Sequence, residues 1–280
     1  MAIKIVTDSG ADIPDDMVKE LDITVVPLTV SFGEETYKDG VDLSSNEFYK
    51  KLINENIMPS TSQTSVGTFC ETYSDLKNDE DHILSIHISG KLSGTINSAM
   101  QAVKEEDMET MVTVFDSKSA SIGLGFSVIA AAQASKRGES LGQCIAEAQS
   151  VLDRTEVLIL FETLEYLKRG GRIGNASALL GGILQLKPIL TLDDGEIATK
   201  LKIRTFRKGL MSLKQLTEEC GDLSDAAILY TTDSTEANNL ANSISNRCVE
   251  NTSAQIIRIS PAVGTHAGPG LIGVICVKAD

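Results

Sequence analysis

The amino-acid sequence predicts an α/β protein with two α/β domains, each built on a mostly parallel sheet flanked by helices. Short apolar, β-branched segments alternate with amphipathic helical segments along the whole chain, which is typical of this class. The 280 residues are 42% hydrophobic, enough for one large core or two smaller ones. The sequence contains no internal repeat or low-complexity segment, so a disordered chain is not expected.

Residues 1–155 form the predicted N-terminal domain, in which strands and helices follow one another regularly. The strands are predicted at residues 3–6, 23–30, 82–88 and 111–115. The helices are predicted at residues 14–21, 46–53, 66–76, from near 94, 120–136 and 141–152. Ser44 and Glu47 have the capping-box spacing ahead of the second of these helices, which supports its starting point.

Residues 156–280 form the predicted C-terminal domain, although terminal strands in such folds can cross back into the other domain. Its first strand is predicted at 157–161, and the sequence KRGGRIG at 168–174 then breaks the helical pattern. Residues 187–203 alternate about Asp193-Asp194-Gly195, which predicts an antiparallel hairpin. Helix, strand, helix and strand follow as far as residue 259, then a Gly-rich loop at 261–270 and a last strand at 271–277.

Charge and cysteine usage exclude several classes of protein. The chain has 25 Lys and Arg against 39 Asp and Glu, a net charge of -14, which disfavours nucleic acid and anionic membrane surfaces as partners. No apolar run approaches the ~18 residues of a membrane-spanning helix, and the first residues lack a secretory signal pattern. The five scattered cysteines show no metal-binding or disulfide spacing, so we expect no metal and a reducing cytoplasm.

A hydroxyl-rich segment at residues 59–65 is the first candidate binding loop. It carries five hydroxyls in seven residues between two predicted helices, namely Ser60, Thr61, Ser62, Thr64 and Ser65. So many hydrogen-bond donors indicate an anion-binding site. The alternative is ordinary capping of the next helix by Thr64 or Ser65.

The second candidate loop, residues 89–95, follows an apolar strand directly and opens a helix. The carboxyl ends of parallel strands are where ligands bind, and a helix N-terminus there favours a carboxylate or phosphate. Gly94 allows a close backbone approach, while Ser93 and Thr95 add hydroxyl donors. The spacing fits neither a nucleotide-binding phosphate loop nor the GxSxG elbow of hydrolases. An ordinary capped helix start is the alternative.

His266 lies among glycines at residues 263–270, where a loop can bring an imidazole close to a ligand. A solvent-facing loop histidine is the alternative for this residue. His82 and His87 lie on a predicted strand and are interpreted as structural.

Two basic groups stand out on this acidic chain. They are Lys168, Arg169 and Arg172 in one segment, and Arg204 and Arg207 in another. Local positive charge on a negative protein indicates a docking patch, whereas surface salt bridges of small energetic value are the alternative.

Taken together and in order, these segments resemble the DegV family, which includes the fatty-acid-binding subunits (FakB) of bacterial fatty acid kinase. The resemblance extends over essentially the whole chain. The matching segments are Thr7-Asp8-Ser9, Thr61-Ser62-Gln63, Leu92-Ser93-Gly94-Thr95, Phe115-Asp116-Ser117-Lys118, Gly170-Gly171-Arg172-Ile173, Lys187-Pro188, Asp194-Gly195, Arg204-Thr205 and His266 with the glycines after it.

The resemblance implies a long-chain fatty acid in a tunnel between the two domains. The residues expected to hold its carboxylate are Thr61, Ser62, Ser93, Gly94, Thr95 and His266. It also implies a lipid carrier with no cofactor and no catalytic residue of its own. An ATP-dependent kinase subunit then phosphorylates the bound carboxylate for phospholipid synthesis, and Arg169, Arg172 and Arg204 are expected to help dock that partner. Gly90 departs from the pattern, because relatives often carry a second serine there, so contacts from this position are not carried over.

Physical chemistry agrees with such a ligand. Burying about 14 methylenes gains on the order of 11 kcal/mol gross, while the charged head group must find hydrogen-bond partners. The segments 119–134 and 176–190 are candidate tunnel walls, and ordinary core helix is the alternative for each of their residues taken alone. The alternative function is an acyl hydrolase or acyltransferase with Ser93 as nucleophile and His266 as base, for which the sequence offers no evident orienting acid.

Overall fold

The fold contains two main sheets that differ in strand direction, joined by helices. The computed structural model describes residues 3–55, 57–77, 81–179, 186–249 and 253–279. The strands are β1 Ile3–Asp8, β2 Ile23–Val26, β3 Thr29–Phe32, β4 Glu35–Lys38, β5 Ser60–Ser62, β6 His82–His87, β7 Val112–Asp116, β8 Thr155–Leu160, β9 Ile189–Asp193, β10 Glu196–Leu201, β11 Leu223–Tyr230, β12 Gln255–Arg258 and β13 Ile272–Lys278. The helices are α1 Asp15–Glu20, α2 Ser45–Asn54, α3 Val66–Leu76, α4 Thr95–Glu105, α5 Ile122–Lys136, α6 Leu141–Arg154, α7 Glu165–Arg169, α8 Phe206–Glu218, α9 Thr235–Ile244 and α10 Pro261–Ala267.

The first sheet is parallel throughout, in the order β2-β1-β6-β7. Its β-branched strands are covered on both faces, as parallel sheets require. Helices α3 and α4 cover one face with Phe69 and Val103 packed against Val6. On the other face lies α5, which is apolar around most of its circumference because it is buried on nearly all sides. The predicted capping box of α2 is confirmed by the bond from the Glu47 N–H to Ser44 Oγ.

A small antiparallel sheet, β4-β3-β5, departs from the sequence prediction in two places. The single strand predicted at 23–30 is two strands, because Pro27 has no N–H and the chain leaves the first sheet there. The hydroxyl-rich segment predicted as a loop contains β5, with Thr61 opposite Val30. Pairing with β3 therefore gives Thr61 a fixed direction, which a free loop would not.

The second sheet has the order β10-β9-β8-β13-β11-β12, and the expectation of a mostly parallel sheet is wrong for it. Only β11 and β12 are parallel; the other pairs are antiparallel. One reason is the last strand, β13, which enters the middle of the sheet between β8 and β11 in the opposite direction. In addition, β9 runs antiparallel to both β8 and β10. The β9–β10 hairpin is confirmed, and Gly195 adopts the left-handed φ of +80° that its tight turn requires.

The two faces of the second sheet bury different cores. Leu158 and Leu160 of β8 belong to the core beneath α8 and α9. Val157, Ile159 and Phe161 alternate with them and belong to the larger core shared with α5 and the first sheet. The inner face of the second sheet therefore meets the carboxyl edge of the first.

The segment carrying His266 is a helix, so the prediction of a Gly-rich loop is wrong. Helix α10 begins with Pro261 at its first position after Ser260, a favoured helix start that outweighs the glycine content. Of the tunnel wall predicted at 176–190, residues 180–185 lie outside the described residues. Within the described part of the chain, no helix is long and apolar enough to cross a membrane.

Candidate functional site

A cavity of about 150 Å³ lies between the carboxyl edge of the first sheet and the inner face of the second. One part of its wall is apolar and includes Ile88, Val157, Ile159, Leu229 and Ile275. Another part is polar and consists of Thr61, Ser62, Gln63, Ser93, Arg172 and His266, with Gly94 beside them. Apolar walls with a few converging polar groups are typical of a site for an amphipathic ligand.

Thr61 and His266 form a hydrogen-bonded pair across the cavity wall. Thr61 Oγ1 on β5 lies 2.7 Å from His266 Nε2 on α10. Burial, and then the nearby charge of Arg172, lowers the pKa of His266 to about 4, so the imidazole is neutral at neutral pH. Nδ1 packs against Gly170, where a Cβ would collide with it, and has no hydrogen-bond partner among the described residues.

These contacts favour one tautomer of His266. An unpaired ring nitrogen costs less as a lone pair than as a buried N–H, and it is Nδ1 that has no partner among the described residues. We therefore infer that Nε2 carries the proton and donates to Thr61 Oγ1. The hydroxyl proton of Thr61 is then free to be donated to a ligand.

Ser93 and Gly94 occupy the start of α4. Ser93 Oγ lies 2.8 Å from Thr95 Oγ1 and accepts the Thr95 N–H at 3.3 Å. Thr95 is fully buried and does not line the cavity, so its hydroxyl orients Ser93 instead of facing the ligand as predicted. The Gln63 side chain lies over Gly94 so closely that no Cβ would fit. The helix start adds backbone N–H groups and a partial positive charge.

Arg172 lines the cavity, whereas a docking role at the surface was predicted for it. It is half-buried, and its Nε and Nη1 donate to the carbonyls of Leu92 and Gly170 at 3.1 and 2.6 Å. Arg169 is exposed and pairs with Glu165 at 2.6 Å, and Arg204 is exposed between β10 and α8. The three arginines therefore do not share one surface patch.

Arg172 and Gln63 are polar residues of the cavity wall that were not predicted from the sequence as ligand-binding residues. Gln63 lies in the hydroxyl-rich segment 59–65 and Arg172 in the segment 168–174. The positive charge of Arg172, taken alone, predicted a position at the protein surface. The signal available was its position directly after two glycines, which let the chain turn inward. Together Thr61, Ser93, Arg172 and the α4 N-terminus present donors and one positive charge, an arrangement suited to a carboxylate.

The hydrogen bonds do not follow the serine hydrolase pattern. Ser93 pairs with Thr95 and His266 pairs with Thr61, so no nucleophile-to-base bond links Ser93 to His266. His266 Nδ1, which a triad acid would orient, has no partner within the described ranges. In the described part of the chain, no group of three or more His, Cys, Asp and Glu side chains could hold a metal ion.

Comparison with known proteins finds relatives along the full length of the chain. A family model described as an uncharacterised protein of the DegV family matches residues 2–279. A DegV domain-containing protein of Caldanaerobacter subterraneus is 36% identical over 274 residues, which cover 97% of each chain.

Two solved structures are similar in both fold and sequence. A fatty-acid-binding DegV family protein from Thermus thermophilus superposes with a TM-score of 0.91 at 35% identity and full coverage of both chains. DegV of Bacillus subtilis, described as a fatty acid binding protein, superposes with a TM-score of 0.89 at 31% identity, covering 99% of this chain and 100% of its own.

Proposed function

The chain belongs to the DegV family, and on that basis we propose that it binds a long-chain fatty acid in the cavity between its two sheets. The observation that carries the proposal is the polar cluster of Thr61, Ser93, Arg172 and His266 in one part of a cavity whose wall is otherwise mostly apolar. The similar proteins from Thermus thermophilus and Bacillus subtilis bind fatty acids, which supports the same ligand class.

The carboxylate is bound by donors from three directions. Thr61 donates its hydroxyl, Ser93 and the backbone of Gly94 donate from the start of α4, and Arg172 supplies the opposite charge. His266 acts through Thr61, and Ser62 lies at the rim, exposed. A buried carboxylate without partners would cost several kcal/mol, and each charge-assisted hydrogen bond recovers about 1.5–3 kcal/mol.

The acyl chain lies against the apolar wall, and its burial supplies most of the affinity. A cavity of about 150 Å³ holds a ligand of the size of benzene. A long acyl chain therefore requires that side chains of the wall move apart as it enters. Hydrogen exchange measured with and without the lipid would report such movement along β8 and β13.

We further propose that the protein is a cytoplasmic carrier that presents the carboxylate to an ATP-dependent kinase subunit. In this role the carrier supplies binding and orientation, and the partner supplies phosphoryl transfer to an acyl-phosphate that feeds phospholipid synthesis. Arg169 and Arg204 remain the proposed docking residues, because both are exposed. Normal kinase binding by an Arg169→Ala, Arg204→Ala double variant would contradict that docking role.

Native mass spectrometry of the purified protein tests the ligand directly. We expect a mass above that of the bare polypeptide, and release of a long-chain fatty acid on denaturation. A bare-polypeptide mass, together with no uptake of added palmitate, would exclude the proposal. Stable recovery of the unmodified lipid also separates a carrier from an acyl hydrolase, for which a covalent Ser93 adduct with an activated acyl ester is expected.

Two variants test the head-group residues in the presence of kinase and ATP. Thr61→Ala and Ser93→Ala are each expected to reduce lipid loading and acyl-phosphate formation by about tenfold or more. Ser60→Ala is the matched control, because Ser60 is exposed on the same strand and does not line the cavity. Unchanged acyl-phosphate output from both site variants would refute the proposed role of these hydroxyls.

A further inference from the structure

Four buried polar side chains form a hydrogen-bonded chain beneath the loop that carries Ser93. Tyr73 OH lies 2.9 Å from Ser85 Oγ, Ser85 Oγ lies 2.7 Å from His87 Nε2, and His87 Nδ1 lies 2.9 Å from Asp8 Oδ2. All four side chains are inaccessible to solvent, and none lines the cavity. The order of acid, imidazole and hydroxyl resembles a catalytic triad, but no substrate can reach Ser85.

The direction of the hydrogen bonds follows from the acceptor-only carboxylate of Asp8. His87 Nδ1 must donate to Asp8, and a neutral imidazole then accepts the Ser85 hydroxyl proton at Nε2. The Ser85 oxygen in turn accepts from Tyr73, whose pKa burial raises far above neutral pH. A protonated His87 would donate to Ser85 Oγ instead, and one hydroxyl proton, that of Ser85 or that of Tyr73, would have no acceptor among the described residues.

Asp8 ends β1, and His87 ends the neighbouring strand β6 at the same edge of the sheet. Besides His87, the carboxylate accepts the backbone N–H groups of Gly10 and Ile88, both at 3.0 Å. Ile88 is the first residue of the loop that leads to Ser93, and it lines the cavity. Asp8 therefore fixes the point at which this loop leaves the sheet.

From that point the loop is held in a tight turn. The Ser89 carbonyl accepts the N–H groups of Leu92 and Ser93 at 2.9 and 3.0 Å, and the Ser89 N–H donates to the Ser119 carbonyl. A displacement of Ile88 would therefore act on the turn that carries Ser93 and Gly94. We propose that Asp8 is a positioning residue for the carboxylate-binding loop, acting through Ile88 and through the His87–Ser85–Tyr73 chain.

A neutral amide cannot replace Asp8 in this geometry. Asp8 Oδ2 accepts both the His87 Nδ1–H and the Ile88 N–H, and Oδ1 accepts the Gly10 N–H, whereas Asn has one acceptor oxygen and an NH₂ in place of the other. With its oxygen toward His87 and Ile88, Asp8→Asn would leave the Gly10 N–H facing the NH₂ and replace two charge-assisted bonds with weaker neutral ones, which loosens the start of the loop. Asp8→Asn should therefore weaken binding of the ligand's carboxylate and leave the contacts of its acyl chain intact.

The test compares palmitate with 1-hexadecanol, which has a tail of the same length and no carboxylate. Because the proposal rests on fatty-acid binding, both affinities are measured by displacement of a fluorescent lipid. Asp8→Asn is expected to weaken palmitate binding about tenfold or more while hexadecanol binding changes less than about twofold. Thr7→Val is the matched control, because Thr7 is buried on the same strand and its hydroxyl has no partner among the described residues.

A second variant, Tyr73→Phe, tests the same proposal if Asp8→Asn does not fold. Tyr73→Phe removes only the far end of the chain and is expected to reduce the palmitate-to-hexadecanol preference by roughly threefold. An equal loss for both ligands, or an unchanged preference in either variant, would overturn the positioning role.

Two observations that need no ligand separate this inference from the proposed function. Nitrogen NMR of His87 should show the proton on Nδ1, and the Ser93 N–H should exchange faster with solvent in Asp8→Asn than in the wild type. Wild-type protein that binds neither lipid would refute the proposed function, and these two readouts would still decide the positioning role. An Nε2-protonated His87, or unchanged Ser93 exchange, would refute the positioning role.

Discussion

Arg172 provides a sharp test of the proposed carboxylate site, because the sequence predicted a surface position for it and the structure places it in the cavity wall. Its Nε and Nη1 are held by the Leu92 and Gly170 carbonyls, so the guanidinium is fixed before any ligand arrives and its other N–H groups remain for a carboxylate. Arg172→Gln removes the charge and keeps a polar side chain of moderate length.

The magnitude follows from a charge-assisted hydrogen bond in a partly buried site. Losing it should cost about 1.5–3 kcal/mol of binding free energy, which is roughly a 10- to 150-fold increase in the Kd for palmitate. Binding of 1-hexadecanol should change little, because that ligand carries no charge. Arg172 also lowers the pKa of His266, so this pKa should rise in the variant, although burial will still hold it below 6.5.

Isothermal titration with palmitate and an NMR titration of His266 measure the two effects. Arg169→Gln is the matched control, since Arg169 lies three residues away, is exposed, and pairs with Glu165 outside the cavity. Equal palmitate affinity in Arg172→Gln and the wild type would refute the reasoning. An equally large loss in Arg169→Gln would show that general charge, and not the cavity contact, is responsible.

Three further predictions concern the stability of the fold and the rate of fatty-acid release. Burial raises the pKa of Asp39 to about 7, so its stabilising contribution is complete below pH 3.8 and is lost as the pH rises through 7. Asp39→Asn should thus raise the free energy of unfolding at pH 8 by about 1–3 kcal/mol, and by much less at pH 5. Urea titrations that show equal gains at the two pH values would contradict the raised pKa of Asp39. Asp194 pairs with Lys91 at 2.9 Å and with Lys118 at 2.6 Å, and so ties the β9–β10 hairpin to the loop of residues 89–95 that carries Ser93. Asp194→Asn should therefore speed fatty-acid release, measured by stopped-flow. An unchanged release rate would contradict this role of Asp194. Ser44→Ala should lower the free energy of unfolding by about 1 kcal/mol through loss of the α2 cap, which urea unfolding checks against a Ser45→Ala control.

Local chemistry accounts for the elements that the sequence predicted well. Helix α3 begins and ends at the predicted residues, since Ser65 caps it and its apolar spacing is helical. The hairpin around Gly195 was likewise readable from its turn residues. In both cases neighbouring residues along the chain determine the outcome.

Pairing between strands that are distant in the sequence explains where the predicted fold was wrong. Strand β5 exists because β3 offers it a partner 30 residues away, and nothing within its three residues indicates a strand. The direction of the second sheet depends on where β13 enters it, which a strand's own composition does not encode. Periodicity cannot distinguish a parallel neighbour from an antiparallel one when both faces are buried.

The sequence by itself determined the class of fold, two segments rich in hydrogen-bond donors and the anionic kind of ligand that such donors suit. Only the tertiary structure decided that Thr61 pairs with His266, that Thr95 supports Ser93 instead of facing the cavity, and that Arg172 points inward. The physical reason is the range of the interactions. Caps, turns and periodicity act within a few residues, whereas a binding site is formed by residues such as Thr61 and His266, 205 positions apart, whose meeting depends on the packing of both sheets.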